Sequence, residues 1–301
     1  MLAKRDLGSR VVVRRRVGQY FTDLLGELSE LTDTHLTIVT LKGTVRVPLD
    51  EVHRAKRVPD IAGLEQAAAE AMPALVTEHL GHWLLRASEG YTGRANSVLP
   101  IGDPGMPFSQ ALKTVGTFYA HHSLPPLFDV PLPLGRPVAR ALEDHGYQPI
   151  VSVLVMSMDL PDLIAATPAT PTFEHTPTPT PQMLEMIAGR RGTLPPAAHH
   201  VLTQVPVITF IAYPAGTQLL AMARGTVTRR WLGIFHVETA PTARRQGLAR
   251  AAVGNLARWA EQQGARRAYL QVQDDNTPAV ALYASLGFKP HHTYTRYGLR
   301  G

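Results

Sequence analysis

The chain has 301 residues, 45% hydrophobic and 18% charged, a balance that is typical of a soluble globular protein with room for more than one core. It contains no cysteine, which excludes disulfides, thiolate metal sites and cysteine nucleophiles. Membrane-length apolar runs and a signal-like apolar start are both absent from the sequence, so we expect a cytoplasmic protein without membrane contact. The net charge of +6 favours polyanionic ligands without selecting one of them.

Residues 1–59 carry short runs of β-branched residues. Strands are predicted at 10–13, 35–41 and 44–49, the last two joined by a turn at Lys42-Gly43, and the pattern predicts a small SH3-like β-barrel. Up to residue 58 there are 11 Lys and Arg against 7 Asp and Glu. This basic domain could make a weak contact with nucleic acid or protein, although a charged edge that discourages sheet pairing is the interpretation we favour.

Residues 60–160 have the pattern of an α/β domain. Helices are predicted at 64–78, 108–121 and 137–145, and strands at 82–86, 95–101 and 150–158. The domain closes with a helix, Gly146-Tyr147 and a strand. The same order recurs at the C-terminus around Gly287-Phe288, which indicates two structurally related halves.

A segment rich in proline and threonine, residues 161–181, follows this domain. Proline removes backbone donors and fixes φ, so the segment is predicted to be an extended linker. The final domain is predicted to span residues 171–301. Its expected elements are strands at 207–213, 218–227 and 231–239, a helix at 245–263, a strand at 268–273, a helix at 277–286 and a strand at 288–298.

The junction between the third of these strands and the long helix favours an anionic ligand. Pro241 ends the strand and an arginine-rich turn leads into the helix. The first turn of a helix has unpaired N–H groups and a partial positive charge, which suit a pyrophosphate. Arg244 and Arg245 add full charges, and Gly247 removes a side chain that would hinder close approach. We therefore predict a phosphate-bearing ligand here.

Two motifs at this end of the chain resemble those of the GNAT acyltransferases. Arg244-x-x-Gly247-x-Ala249 is similar to their pyrophosphate loop. The segment from Asn276 to Phe288, with Ala279, Tyr283 and Gly287 between, resembles their second motif. The resemblance covers roughly residues 170–300 and extends loosely to the whole chain, which looks like the two-part GNAT proteins of actinobacterial type. It implies a mixed α/β fold: a C-terminal GNAT domain, a degenerate GNAT-like domain at 60–160 and the SH3-like barrel in front.

The resemblance also implies an activity. A GNAT enzyme transfers an acetyl group from acetyl-CoA to a primary amine by direct attack in a ternary complex, without a metal. By position, the residues implied to contact the coenzyme are Val237, Glu238, Thr239, Arg244, Arg245, Gln246, Gly247, Leu248, Ala249, Arg250, Asn276 and Tyr283.

Two of these residues are candidates for catalysis. Tyr283 matches the family tyrosine that donates a proton to the departing thiolate, although it could be a packed ring. Glu238 is the candidate base for the amine, with His236 as a second choice, since strand alternation predicts that both point to one face. Asn276 could cap a helix, contact the pantetheine arm, or do both.

No motif in the sequence identifies the amine that would accept the acetyl group. Arg94, Asn96 and Ser97 could line its site or form a hydrogen-bonded turn, and the sequence favours the turn. Paired histidines at 121–122, 199–200 and 291–292 lack metal-ligand spacing, and we expect no metal. The alternative to an enzyme is a regulatory protein on a GNAT fold that senses acetyl-CoA or binds nucleic acid or protein.

Overall fold

The computed structural model describes residues 2–40, 42–189 and 192–299, without the side chain of Arg5. The chain forms two compact units, one ending at Asp60 and the other beginning at Ile61. Within the described ranges no helix has both the length and the apolar character needed to cross a membrane.

The first unit is an antiparallel sheet of five strands. They are β1 (Arg10–Val17), β2 (Tyr20–Leu31), β3 (His35–Thr40), β4 (Gly43–Pro48) and β5 (Val52–Arg57), in the order β4-β3-β2-β1-β5. Alternate residues of these strands, such as Val11, Val13 and Ile38, are buried in one small core. Within the described residues β4 and β5 are the two edge strands, and they do not pair with each other. The expected closed barrel is therefore not found, and the SH3-like assignment stays a prediction.

The three strands predicted in this unit are confirmed, except that Leu49 lies in a 3-10 turn and Leu41 lies outside the described residues. Strands β2 and β5 were not predicted. The long β2 contains Asp23, Gly26 and Glu27, which interrupt the β-branched pattern that identifies a strand from sequence.

The second unit contains eight helices and ten strands among its described residues. The helices are α1 (Ile61–Ala71), α2 (Phe108–His121), α3 (Arg136–Asp144), α4 (Leu160–Ala166), α5 (Pro181–Ala188), α6 (Ala197–Thr203), α7 (Leu248–Gln262) and α8 (Thr277–Ser285). The strands are β6 (Val76–Leu80), β7 (Trp83–Ala87), β8 (Phe128–Leu132), β9 (Tyr147–Asp159), β10 (Glu174–Thr176), β11 (Ile208–Ala215), β12 (Gln218–Thr228), β13 (Trp231–Thr239), β14 (Arg267–Gln273) and β15 (Lys289–Leu299).

Eight of these strands form one sheet, in the order β10-β11-β12-β13-β14-β9-β15-β8. Neighbouring residues of a strand point to opposite faces, so each strand contributes to two cores. One core, with Leu232 and Leu256, lies between the sheet and α4, α7 and α8. The other, with Phe210 and Tyr269, lies under α1, α5 and α6. We call these two faces of the sheet the α7 face and the α1 face.

The segment 60–160 contributes two strands to this sheet. Strand β9 pairs antiparallel with β14 on one side and with β15 on the other, and β8 pairs with β15. The segment predicted as a linker contains α4 and the short edge strand β10. The division of residues 61–301 into a GNAT-like domain, a linker and a catalytic domain stays a proposal.

Two predicted elements of this segment are wrong. The helix predicted to run to residue 78 ends at Ala71, because Pro73 cannot continue it, and β6 begins at Val76. The strand predicted at 95–101 is absent, and a short 3-10 turn occupies Arg94–Asn96. The predicted elements from β11 to β15 are confirmed, with boundaries that shift by up to three residues.

Candidate active site

The central feature of the second unit is a break in the sheet at β13. Phe235 lies opposite Arg224 of β12 and Glu238 lies opposite Met222, so two residues of β13 face one residue of β12. His236, in this bulge, has a φ of 49°. A bulge of this kind bends a strand away from its neighbour. It also interrupts strand alternation, on which the prediction of a shared face for His236 and Glu238 rested.

On its other side β13 pairs with β14 only over its first three residues, from Trp231 to Gly233. Both strands continue beyond this point without registered pairing to each other. A cavity of about 960 Å³ lies here, with residues of both strands in its wall. In a continuous sheet the facing edges of these two strands would pair here, whereas in this protein the cavity lies between them.

The N-terminus of α7 closes one end of this cavity. Gly247 precedes the helix with a φ of 79°, and a Cβ placed on it would have no protein atom within 4 Å. Glycine is favoured here by the left-handed backbone, and the space beside it is open. Arg244 and Arg245 are exposed and line the same cavity. Buried Leu248 anchors the first turn of the helix in the core on the α7 face.

The cavity brings together eleven of the twelve residues predicted to contact a coenzyme. They are Val237, Glu238, Thr239, Arg244, Arg245, Gly247, Leu248, Ala249, Arg250, Asn276 and Tyr283. Gln246 is not in the cavity wall, and its side-chain amide donates to the carbonyl oxygen of Thr242 at 3.3 Å. Whether these residues bind a coenzyme stays a prediction at this point.

Tyr283 and Glu238 interact electrostatically in this wall. Burial raises the pKa of Tyr283 to about 12, and the negative charge of Glu238 acts in the same direction. The phenol is therefore protonated at neutral pH and can act as a hydrogen-bond donor. Its ring packs edge to face on Phe288, with centroids 6.0 Å apart.

Two of the lining residues also have structural roles. The side chain of Asn276 accepts the N–H of Ala279 at 3.3 Å, which confirms that it caps α8. Arg250 donates to the hydroxyl of Ser285 at 3.0 Å and thereby links α7 to the end of α8. A ligand at this site would contact side chains that the fold already holds in place.

Sequence reasoning missed several lining residues. Gln271 lies on β14 and carries no motif, and Val151 and Val153 come from β9. Of the polar cluster at 94–97, only Arg94 lines the cavity. Asn96 and Ser97 are buried, and their side chains form hydrogen bonds within the protein. For these two residues the hydrogen-bonded turn is confirmed.

The histidine pair at 291–292 takes part in a buried hydrogen-bond chain. The Nδ1 atoms of the two rings are 2.8 Å apart, and Nε2 of His292 lies 2.7 Å from Oε1 of Glu65. Across the described ranges, no three His, Asp or Glu side chains are arranged to hold a metal ion.

Comparison with known proteins gives consistent relatives. The family model described as "Probable histone acetyltransferase Rv0428c C-terminal" matches residues 58–298. The "Probable histone acetyltransferase Rv0428c" of Mycobacterium tuberculosis is 30% identical over 320 aligned residues, covering 99% of this chain and 96% of that protein. The "Uncharacterized N-acetyltransferase YobR" of Bacillus subtilis is 28% identical over 243 residues, covering 77% of this chain and 97% of that protein.

A solved structure shares the fold. The "GCN5-related N-acetyltransferase from Kribbella flavida" superposes with a TM-score of 0.62 at 18% identity, over 81% of this chain and 96% of that one. The similarity to the family model spans most of the second unit, including both motifs and the whole cavity wall. The chain therefore belongs to the Rv0428c C-terminal family of GNAT-type acetyltransferases and is an acyltransferase.

Proposed function

We propose that the protein transfers an acetyl group from acetyl-CoA to a primary amine by direct attack of the amine. The single observation that carries this proposal is the cavity at the bulge of β13, which joins a splayed strand pair to an arginine-flanked helix N-terminus. Such a cavity can hold an extended chain along the strand and its phosphates at the helix. The absence of cysteine from the sequence supports direct attack, since no cysteinyl intermediate can form.

The chain offers three kinds of contact to this coenzyme. The N–H groups of the first turn of α7 and the guanidinium groups of Arg244 and Arg245 suit a pyrophosphate. The edge of β13 from Val237 to Thr239, which has no registered pairing with β14, suits the amides of the pantetheine arm. The open space beside Gly247 leaves room for the phosphates to approach the backbone.

The reaction also needs a path for two protons. The thioester of acetyl-CoA supplies the activated acetyl group. A backbone N–H of β13 beside the bulge would stabilise negative charge on the acetyl oxygen. Glu238 would accept one proton from the ammonium, directly or through water, because a lysine-like amine has a pKa of about 10.4 and is mostly protonated at neutral pH. The second N–H proton, lost as the C–N bond forms and the C–S bond breaks, would balance the proton that the thiolate takes up. Tyr283, protonated at neutral pH, would donate the proton that the departing thiolate gains.

Coenzyme binding tests this proposal through a pair of glycines. Gly247 and Gly264 flank the two ends of α7, both have a φ of 79°, and neither has a protein atom near the position of a Cβ. Gly247→Glu and Gly264→Glu therefore carry the same backbone strain and charge, but only the first places a carboxylate in the cavity. We expect titration calorimetry to show coenzyme A binding by the native protein and by Gly264→Glu.

For Gly247→Glu we expect a dissociation constant at least roughly 100-fold higher, because the new carboxylate repels the phosphates and occupies their space. Circular dichroism and the melting temperature establish that both variants fold. Equal affinities of the two variants, or no binding by the native protein, would refute the proposed site.

A further inference from the structure

The cavity has a second end that the coenzyme residues do not occupy. Its wall includes Ile234 and Leu270, from the core on the α7 face, and also Phe235, Val153 and Tyr294, from the core on the α1 face. The cavity thus passes through the sheet where β13 and β14 separate. We call its end on the α1 face the far pocket, formed by Thr92, Gly93, Arg94, Gln271, Tyr294 and Arg296.

Several buried polar atoms of the far pocket have no hydrogen-bond partner in the described part of the chain. They are the hydroxyl of Thr92, Nε of Arg94 and both amide atoms of Gln271. Thr92 is only 6% exposed. Buried polar groups are nearly always paired, since an unpaired one costs about 1–3 kcal/mol. Three such side chains around one cavity indicate a polar ligand with both acceptor and donor atoms.

The charge of the far pocket is positive. The guanidinium of Arg94 lies 5.7 Å from the ring centroid of Phe235 and forms no ion pair with a described residue. Arg296 bonds to both carboxylate oxygens of Asp129, at 2.7 and 2.9 Å, and Arg86 lies 3.8 Å from the same carboxylate. The single negative charge of Asp129 thus lies beside the positive charges of two arginines, and Arg94 adds a third positive charge.

The other acidic groups do not neutralise Arg94. Glu65, buried on α1, is engaged with His292 at 2.7 Å. Glu238 is the single acidic residue among the described residues that line the cavity, and it lies on β13 after the bulge. With Asp129 and Glu65 counted against Arg86, Arg94 and Arg296, one positive charge remains at the far pocket.

The loop that carries Arg94 is held rigidly. Oδ1 of Asn96 accepts the N–H groups of Ser88 at 2.7 Å and Gly90 at 3.0 Å, and its Nδ2 donates to the carbonyl oxygen of Thr92 at 2.7 Å. A Cβ on Gly93 would collide with the guanidinium of Arg296, so glycine allows the loop to pack there. A cation fixed in this way loses little entropy when it binds an anion.

We propose that the far pocket binds the acceptor, and that the acceptor is a small amine that also carries a carboxylate, which pairs with Arg94. This inference rests on the proposed function. Arg94 can offer two parallel N–H donors to a carboxylate, and Thr92 and the amide of Gln271 supply further donors. The same positive charge disfavours a lysine-rich peptide, which would bring further cations to Arg94 and Arg296.

Matched pairs of amines, with and without a carboxylate, test the inference with the full-length protein. The pairs are L-lysine with cadaverine, L-phenylalanine with phenethylamine, and β-alanine with ethylamine, and a lysine-rich peptide serves as the cationic alternative. Release of the coenzyme thiol gives kcat/KM for each amine. In the most active pair we expect the carboxylate-bearing member to have a kcat/KM at least roughly tenfold higher.

Variants of Arg94 identify the contact. We expect Arg94→Met to lower kcat/KM of the carboxylate-bearing amine by about 10- to 100-fold and that of its carboxylate-free partner by less than about threefold. Arg94→Lys should keep part of the preference, because it keeps the charge but loses the bidentate geometry. Arg140→Met, on the exposed face of α3, is the matched control and should change neither value.

Three results would overturn the inference: equal kcat/KM within every pair, a preference for the lysine-rich peptide, or an equal effect of Arg94→Met on both members of a pair. If none of the amines reacts, the melting temperature with coenzyme A present decides the matter. The carboxylate-bearing amines should then stabilise the native protein but not Arg94→Met, and no such stabilisation overturns the inference. Failure of the proposed function would appear separately, as absence of coenzyme A binding.

Discussion

The phenol of Tyr283 is the group whose removal best tests the chemistry of the proposed site. Tyr283→Phe deletes one oxygen from a side chain that is 9% exposed and keeps the ring that packs on Phe288. We therefore expect the melting temperature and the affinity for coenzyme A to change little. Turnover should fall, because the departing thiolate loses its proton donor.

The size of the fall follows from the leaving group. General acids commonly contribute 10²–10⁴-fold, but a thiol with a pKa of roughly 8.5 already leaves readily. We expect the low end, a decrease in kcat of about 10- to 100-fold, which corresponds to about 1.4–2.7 kcal/mol. Tyr147→Phe is the control, since Tyr147 is also a buried tyrosine but does not line the cavity.

The dependence on pH sharpens this test. Because the pKa of Tyr283 in the folded protein is raised to about 12, above the value of 10 for a free tyrosine, the phenol stays protonated below pH 10. Its donor capacity is lost only as the pH rises through about 12. We expect the pH profiles of native protein and Tyr283→Phe to run parallel from pH 7 to 10. An unchanged kcat, or an alkaline limb near pH 8–9 that Tyr283→Phe removes, would refute the assignment.

Two further predictions concern Glu238 and Arg224. Glu238→Gln should lower kcat at pH 7 by roughly tenfold or more and by less at pH 9, where more of the amine is already neutral; a loss that does not depend on pH would contradict its role as base. Arg224→Met should lower the free energy of unfolding by about 2–4 kcal/mol in denaturant titrations, because the buried guanidinium donates to the carbonyl oxygens of Leu202 and Ala71 at 2.8 and 2.9 Å. Arg229→Met, which removes an exposed ion pair with Glu70, should cost less than about 1 kcal/mol, and equal losses would contradict this account.

The C-terminal elements could be predicted from sequence because their signals are local. The helix α7 follows a glycine with a positive φ and keeps an apolar face, and Asn276 caps α8 as its position at the start of the last predicted helix suggested. Glycine, proline and capping residues determine where these elements begin. The predicted coenzyme residues therefore lie together in the structure, because they sit at the ends of elements that were placed correctly.

The sequence favours a turn over an acceptor site at Arg94, because the far pocket depends on pairing between distant segments. The apolar alternation of β9 indicates a strand, but nothing in it specifies insertion between β14 and β15. The sequence also carries no signal for the bulge at His236, which changes which side chains of β13 lie on the same face of the sheet. Arg94 reaches the cavity only because β9 and the loop at 88–96 are brought to the same part of the sheet.

In the proposed reaction an acetyl group passes directly from acetyl-CoA to an amine. Mass spectrometry of the protein and the small molecules, before and after an amine is added to protein mixed with acetyl-CoA, tests it most directly. We predict that the protein mass stays unchanged throughout, and that free coenzyme A and N-acetylated amine then appear in a one-to-one ratio. Acetylation of the protein before the amine is added, or release of coenzyme A without an acetylated amine, would contradict the claim.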